Sequence, residues 1–167
     1  LSRTDSLTGL LNHGAWKDLL HTRFTRCRDN NTQDILALID IDHFKTINDN
    51  YGHIVGDAVL RELSQALKGL LAEGERAGRY GGDEFCLILP DQPLNKAEAQ
   101  MERLRQAMDQ YRHPDVPELR VSLSIGLARF QPSYSDAVAW LDDADKALYT
   151  AKHTGRNTIS VALSSPG

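Results

Sequence analysis

The stretch "DILALIDID", Asp34 to Asp42, limits the architecture more than any other part of the chain. Ile35 to Ile39 are apolar without interruption, so a strand formed here has no solvent face and must be covered on both sides. Covering it takes amphipathic helices, and the rest of the chain supplies them. Asn12 is placed to cap a first helix with Trp16, Leu19, Leu20, Phe24 and Cys27 along one face. After a loop "NYGHIVGD", a long helix carries Val59, Leu60, Leu63, Ala66, Leu67, Leu70 and Leu71 at helical spacing. Ala97, Met101, Leu104, Met108 and Tyr111 mark another helix, and Ala137, Leu141, Ala144, Leu148 and Ala151 a last one, with Gly155 at its C-terminal cap. Further strands are expected at Phe85 to Leu89, in "RVSLSIGL" with Val121, Leu123, Ile125 and Leu127 on its packed face, and in "NTISVAL". This order predicts an α+β fold, a central mostly antiparallel or mixed sheet with flanking helices.

The 167 residues make one domain with a core of its own, and no repeat or linker divides them. A hydrophobic content of 41% with 25% charged residues is that of a globular chain. Nineteen basic against 23 acidic residues leave a net charge of −4, which argues against a nucleic-acid backbone or an anionic membrane as partner. A polyanionic ligand would need local cations or a metal. Cys27 and Cys86 read as reduced packing residues, which suits a cytoplasmic domain. No apolar run approaches a membrane span. The start without Met suggests a C-terminal output domain of a longer protein, which could itself be membrane-anchored.

The chemistry gathers around "RYGGDEFCLIL", Arg79 to Leu89. Gly81 and Gly82 suit a two-residue hairpin turn, whose positive φ angles glycine adopts freely. The turn leaves Asp83 and Glu84 unexplained, because acids are depleted in strands. If the strand ending at Asp40 lies beside this hairpin, Asp40 and Asp83 meet at one end of the sheet, where two carboxylates suit a hard divalent cation. Taken singly, Asp40 is an ordinary strand end and Asp83 ordinary turn polarity. Asp83 and Glu84 cannot both point inward from a regular strand, so either one faces solvent or the turn distorts the backbone. Asp42 reads as the cap of a short helix through "HFKTIND", whose free amides near Phe44 and Lys45 suit a phosphate.

Four motifs in order resemble the diguanylate cyclase (GGDEF) domains of bacterial signalling proteins: "DSLTGLLN" at Asp5 to Asn12, "DIDHFKTINDNYGHIVGD" at Asp40 to Asp57, "GGDEF" at Gly81 to Phe85 and "AKHTGRN" at Ala151 to Asn157. The resemblance runs from Asp5 to about Ile159 and implies a palm-like fold shared with nucleotide cyclases. It implies condensation of two GTP into cyclic di-GMP with release of two pyrophosphates. Asp40, Asp83 and the carbonyl of Ile41 would hold Mg2+, or Mn2+ in its place. Glu84 would be a further ligand or the base for the 3′-hydroxyl. Asn48 and Asp57 would read guanine, with Leu7 and Leu60 against its ring. Phe44 and Lys45 would contact phosphates at the helix start, Lys152 and Arg156 would neutralise the outer phosphates, and His53 would face the nucleotide or brace a turn. Each domain would hold one GTP, so catalysis would require a homodimer, with a sensory or regulatory domain upstream.

One departure stands out. Where many members carry Arg-x-x-Asp, a product-inhibition site, this chain has "AEGE" with Ala72 and Glu75 at the two positions. Without the guanidinium the site is expected to be absent. Arg79 reads as a structural ion-pair partner. A catalytically silent GTP-binding or protein-interaction module is the alternative function, although Asp40, Asp83, Glu84, Asn48 and Asp57 are all present.

Overall fold

A computed structural model describes residues 2–73 and 75–163. Among them five helices and five strands follow in the order α1 (His13–Asn30), β1 (Ile35–Ile41), α2 (Phe44–Tyr51), α3 (His53–Leu70), β2 (Arg76–Arg79), β3 (Glu84–Leu89), α4 (Leu94–Asp109), β4 (Leu123–Arg129), α5 (Ala137–His153) and β5 (Thr158–Val161). The strands form one sheet in the order β2-β3-β1-β4-β5. Only β5 runs parallel to its neighbour; the other pairings are antiparallel. The α+β architecture is the expected one.

β1 is the central strand, and every residue from Ile35 to Ile41 is buried. Its side chains alternate between two cores. Ile35, Ala37, Ile39 and Ile41 meet Leu87, Leu123 and Ile125 beneath α3 and α4, which contribute Leu63, Leu67, Met101 and Leu104. Leu36 and Leu38 pack with Cys86, Ile88 and Ala128 beneath α1 and α5, which contribute Trp16, Phe24, Trp140 and Leu148. Each such aliphatic side chain contributes roughly 1.5–3 kcal/mol by leaving water. Both cysteines are free and buried.

β4 is buried on both faces rather than mainly one. The small residues that look like a weak face are the contact surface for α5: a Cβ on Gly126 would lie 2.3 Å from the Leu148 nitrogen and 2.5 Å from the Ala144 carbonyl oxygen. Asn12 caps α1 as expected, accepting from the Ala15 amide at 3.0 Å. Gly155 follows α5 with φ 108°.

Two local expectations are corrected. The "NYGHIVGD" segment is not a loop, because a single residue, Gly52, separates α2 from α3. Its φ of 88° and ψ of 166° turn the chain in one step. The Gly81–Gly82 turn is not a two-residue hairpin either. The amides of Tyr80 and Gly81 both donate to the Glu84 carbonyl, at 2.8 and 3.2 Å, which leaves Gly81, Gly82 and Asp83 as a three-residue loop. Neither glycine takes a positive φ. A Cβ on Gly82 would meet nothing within 4 Å, so the fold itself does not demand glycine there and the space beside the loop stays open.

Candidate active site

Antiparallel pairing of β1 with β3 sets Asp40 opposite Glu84, and pairing with β4 sets it opposite Ser124. The Ile41 amide donates to the Asp83 carbonyl at 3.3 Å, anchoring the loop to the end of β1. These contacts bring the Asp83 carboxyl within hydrogen-bonding reach of Asp40. Asp40 is only 6% exposed. Its Oδ2 contacts the Lys152 ammonium, while Oδ1 is buried with no hydrogen-bond partner. Burial raises the Asp40 pKa to about 7, the neighbouring Asp83 carboxyl pushes the same way, and Lys152 opposes both. Burial disfavours the Lys152 ammonium, but its bond to Asp40, with Glu84 and Asp83 nearby, raises its pKa overall.

Glu84 shares the sheet face of Asp40 because the two are directly opposed, and Asp83 escapes the alternation because it sits in the loop before β3 starts. Both carboxylates therefore act on Lys152, and the loop geometry answers how adjacent acids can address one site. Among the described residues no three His, Cys, Asp or Glu side chains form a cluster able to hold a metal. The Asp40–Asp83 pair still fits a small hard cation, since the buried Asp40 keeps an orphaned carboxylate oxygen and has a second, half-buried carboxyl within reach.

Asp42 does not cap α2. The N-cap is His43, with φ 55° and no side-chain hydrogen bond, so the first amides of α2 are left open at Phe44 and Lys45. Asp42 instead accepts from the hydroxyls of Ser122 and Ser124, both at 2.6 Å, and from the Asn157 amide at 3.0 Å. Asn157 in turn accepts from Arg105 at 2.8 Å and donates to Asp109 at 3.1 Å. This web ties the segment after α5, which carries Arg156, to the end of the sheet that bears Asp40. Sequence reasoning missed it; alternate serines in "RVSLSIGL" were the available signal.

The remaining predicted residues lie on α2, on α3, in the turn before α1 and just after α5. The Lys45 side chain is 92% exposed and pairs with Asp49 at 3.9 Å, while Phe44 is half-buried against the core. Asn48 of α2 sits directly against Gly56 of α3, where a Cβ would come within 1.8 Å of its Oδ1. That oxygen is buried and without a partner. Asp57 follows Gly56, half-buried, and His53 is exposed in the first turn of α3 rather than in a loop. Leu60 is 2% exposed and belongs to the core, whereas Leu7 is half-buried at its margin. Arg156 is exposed, with φ 58°.

Arg79 is an ion-pair partner. Its guanidinium meets Asp5 at 3.3 Å and donates twice to the Gly82 carbonyl, at 3.1 and 2.8 Å. Glu75, at the place of the motif's acid, is buried and accepts from the Ala72 amide at 2.7 Å and the Gln100 side chain at 2.9 Å. Gly74 of "AEGE" lies outside the described residues.

Comparison with known proteins agrees with this fold. The family model "Diguanylate cyclase, GGDEF domain" matches residues 2–158. The chain is 40% identical over 162 residues to the probable diguanylate cyclase DgcC of Escherichia coli K12, covering 97% of this chain and 44% of that protein. It is 36% identical to the cyclic di-GMP phosphodiesterase PdeR of the same strain, over 96% of this chain and 24% of that protein. The chain thus spans less than half the length of either relative. Among solved structures, the GGDEF domain of DgcB from Caulobacter crescentus in complex with c-di-GMP superposes with a TM-score of 0.92 at 32% identity, over 98% of both chains. On these matches and on the sheet-end carboxylates, the chain belongs to the diguanylate cyclase GGDEF-domain family.

Proposed function

We propose that this domain condenses two GTP into cyclic di-GMP with release of two pyrophosphates. The observation that carries the reading is the buried Asp40, with its orphaned Oδ1 and the half-buried Asp83 carboxyl in reach, at the sheet end where Gly82 keeps the chain clear. Asp40 and Asp83, with the Ile41 carbonyl, would hold Mg2+ or Mn2+. A cation bound there supplies positive charge to phosphate oxygens as charge grows on them. Glu84, exposed beside that pair, is positioned to take the proton of a 3′-hydroxyl or to complete the cation's ligands.

Guanine presents donors at N1 and N2, which suit the unpartnered Asn48 oxygen and the Asp57 carboxylate; adenine would leave Asp57 without a donor. Leu7 flanks the ring from the margin of the core, with Leu60 as the layer beneath. The open amides at Phe44 and Lys45 receive phosphate oxygens, and Lys152 and Arg156 neutralise the outer phosphates. His53 at the start of α3 faces the same ligand. Because the product joins two nucleotides symmetrically, two domains present their GTP to one another, and a homodimer is the reactive species. A regulatory domain upstream would set how often they meet.

The test is incubation with GTP and Mg2+ followed by chromatography of the products, beside Asp83→Ala. Cyclic di-GMP from the parent chain alone confirms the reading. GTP bound but unconverted would favour a silent binding module, the outcome that a relative named as a phosphodiesterase keeps in play.

A further inference from the structure

We propose that Lys152 is a stand-in cation: it neutralises Asp40 whenever no metal is bound and must leave for the phosphates when metal and nucleotide enter together. The inference rests on the catalytic reading above, and it adds an exchange of partners to the phosphate role given there. Its first support is placement. The Lys152 ammonium contacts Asp40 Oδ2 from α5, with Asp83 and Glu84 acting on the same charge. Asp40 and Asp83 are close enough to repel when both are ionised, and a carboxylate that is 6% exposed cannot rely on water for relief.

The second support is what the ammonium leaves undone. Asp40 Oδ1 stays buried without a partner, so Lys152 satisfies one oxygen of a group built to serve more. A monovalent point charge on a flexible stem can be displaced in a way that an Arg fork bonding both oxygens could not. The Lys152 side chain retains 31% exposure, enough to swing outward without unpacking α5. When a divalent cation takes Asp40, the ammonium would face net positive charge and lose its reason to stay. The phosphates of the incoming nucleotide are its new partner. Metal alone must therefore compete with Lys152, whereas metal together with a nucleotide gives Lys152 somewhere to go, so the two ligands bind cooperatively.

The exchange predicts effects of opposite sign from one substitution. Binding of Mn2+ to the full chain is measured by paramagnetic resonance without nucleotide, and binding of a non-hydrolysable GTP analogue is measured with Mn2+ present. In Lys152→Met, Mn2+ alone should bind tighter by about tenfold, the low end of what one adjacent charge does to a carboxylate's proton affinity. The analogue should bind more weakly by a similar factor. Lys152→Arg should keep the competition with free Mn2+, which distinguishes charge from loss of packing. Should Lys152→Met fold poorly, Lys152→Gln keeps most of the stem, and its Mn2+ titration is then decisive. Unchanged or weaker Mn2+ binding in the neutral variants overturns the stand-in role. Mn2+ binding that Asp83→Asn does not weaken would instead overturn the metal-site reading itself.

Discussion

Arg79 holds Asp5 and the Gly82 carbonyl with one guanidinium, at 3.3 Å and 2.8 Å. The two partners lie 77 positions apart in the chain, and joining them pins the loop that carries Asp83 to the amino-terminal turn. The turn is in its own right well fastened. Asp5 accepts from both the amide and hydroxyl of Thr8, at 2.9 and 2.8 Å, and Lys68 of α3 donates to the Thr8 carbonyl at 2.7 Å. The Gly81–Asp83 loop is thus braced from outside the sheet as well as by β1.

The pair gives a prediction in acid. Burial pushes the Asp5 pKa up, but the Thr8 bonds and Arg79 outweigh it, so the folded-state value lies below the ordinary one. A lowered carboxylate contributes stability above its unfolded pKa and loses it as pH falls through the folded value. Urea midpoints of the parent chain should therefore drop below about pH 4 more steeply than those of Asp5→Asn. A double-mutant cycle of Asp5→Asn with Arg79→Met should give a coupling of about 1 kcal/mol, the upper range for an ion pair still touched by water. Identical acid limbs would refute the assignment.

Gly126 supports a prediction about packing. With backbone atoms of α5 at 2.3 and 2.5 Å from a would-be Cβ, no side-chain adjustment can make room, and the helix must move. Gly126→Ala should cost about 3 kcal/mol or more, beyond the usual range for overpacking because backbone must yield. Gly78→Ala, where the nearest contact is the Trp16 Cβ at 3.1 Å, should cost less. Thermal midpoints of the two variants check the order.

These two positions also show what the sequence made legible. The β1 run declared a doubly covered strand because no polar residue interrupts Ile35 to Ile39, and the sheet-end meeting of Asp40 with Asp83 followed from one assumption of adjacency. Gly126 was illegible for a physical reason: a small residue in a strand marks either a bare face or a close approach, and only the position of α5 decides. The turn at Gly81–Gly82 misled similarly, since neither glycine takes a positive φ and Gly82 borders open space. Asp42 was misread because a cap needs only local sequence, whereas its true partners lie 80, 82 and 115 positions away.

That hub can be tested directly. Asp42→Ala would strand two serine hydroxyls and the Asn157 amide beside a buried strand end, and each lost partner costs about 1–3 kcal/mol where water cannot replace it. Asp42→Asn keeps one acceptor and should be milder. Since Asn157 adjoins Arg156, the Asn variant should raise KM for GTP more than it lowers kcat. Steady-state kinetics on folded Asp42→Asn measures that split, and a fall in kcat alone would show that the hub does not position the phosphate cations.

Product response follows from Glu75. Its carboxylate, 8% exposed, is turned inward onto the Ala72 amide and the Gln100 side chain, and Ala72 offers no guanidinium. Both bonds hold the same oxygen, Oε1, and fix the carboxylate against the chain rather than toward a ligand outside, while nothing at Ala72 would clamp a phosphate. Cyclic di-GMP is therefore expected to slow the reaction only in competition with GTP, so that initial rates at saturating GTP do not change as product is added. Glu75→Ala should lower stability by about 1–3 kcal/mol through the stranded amides, read from urea midpoints, and leave the product response as it was. Non-competitive inhibition by cyclic di-GMP that disappears in Glu75→Ala would mean that this buried acid is nonetheless part of a regulatory site.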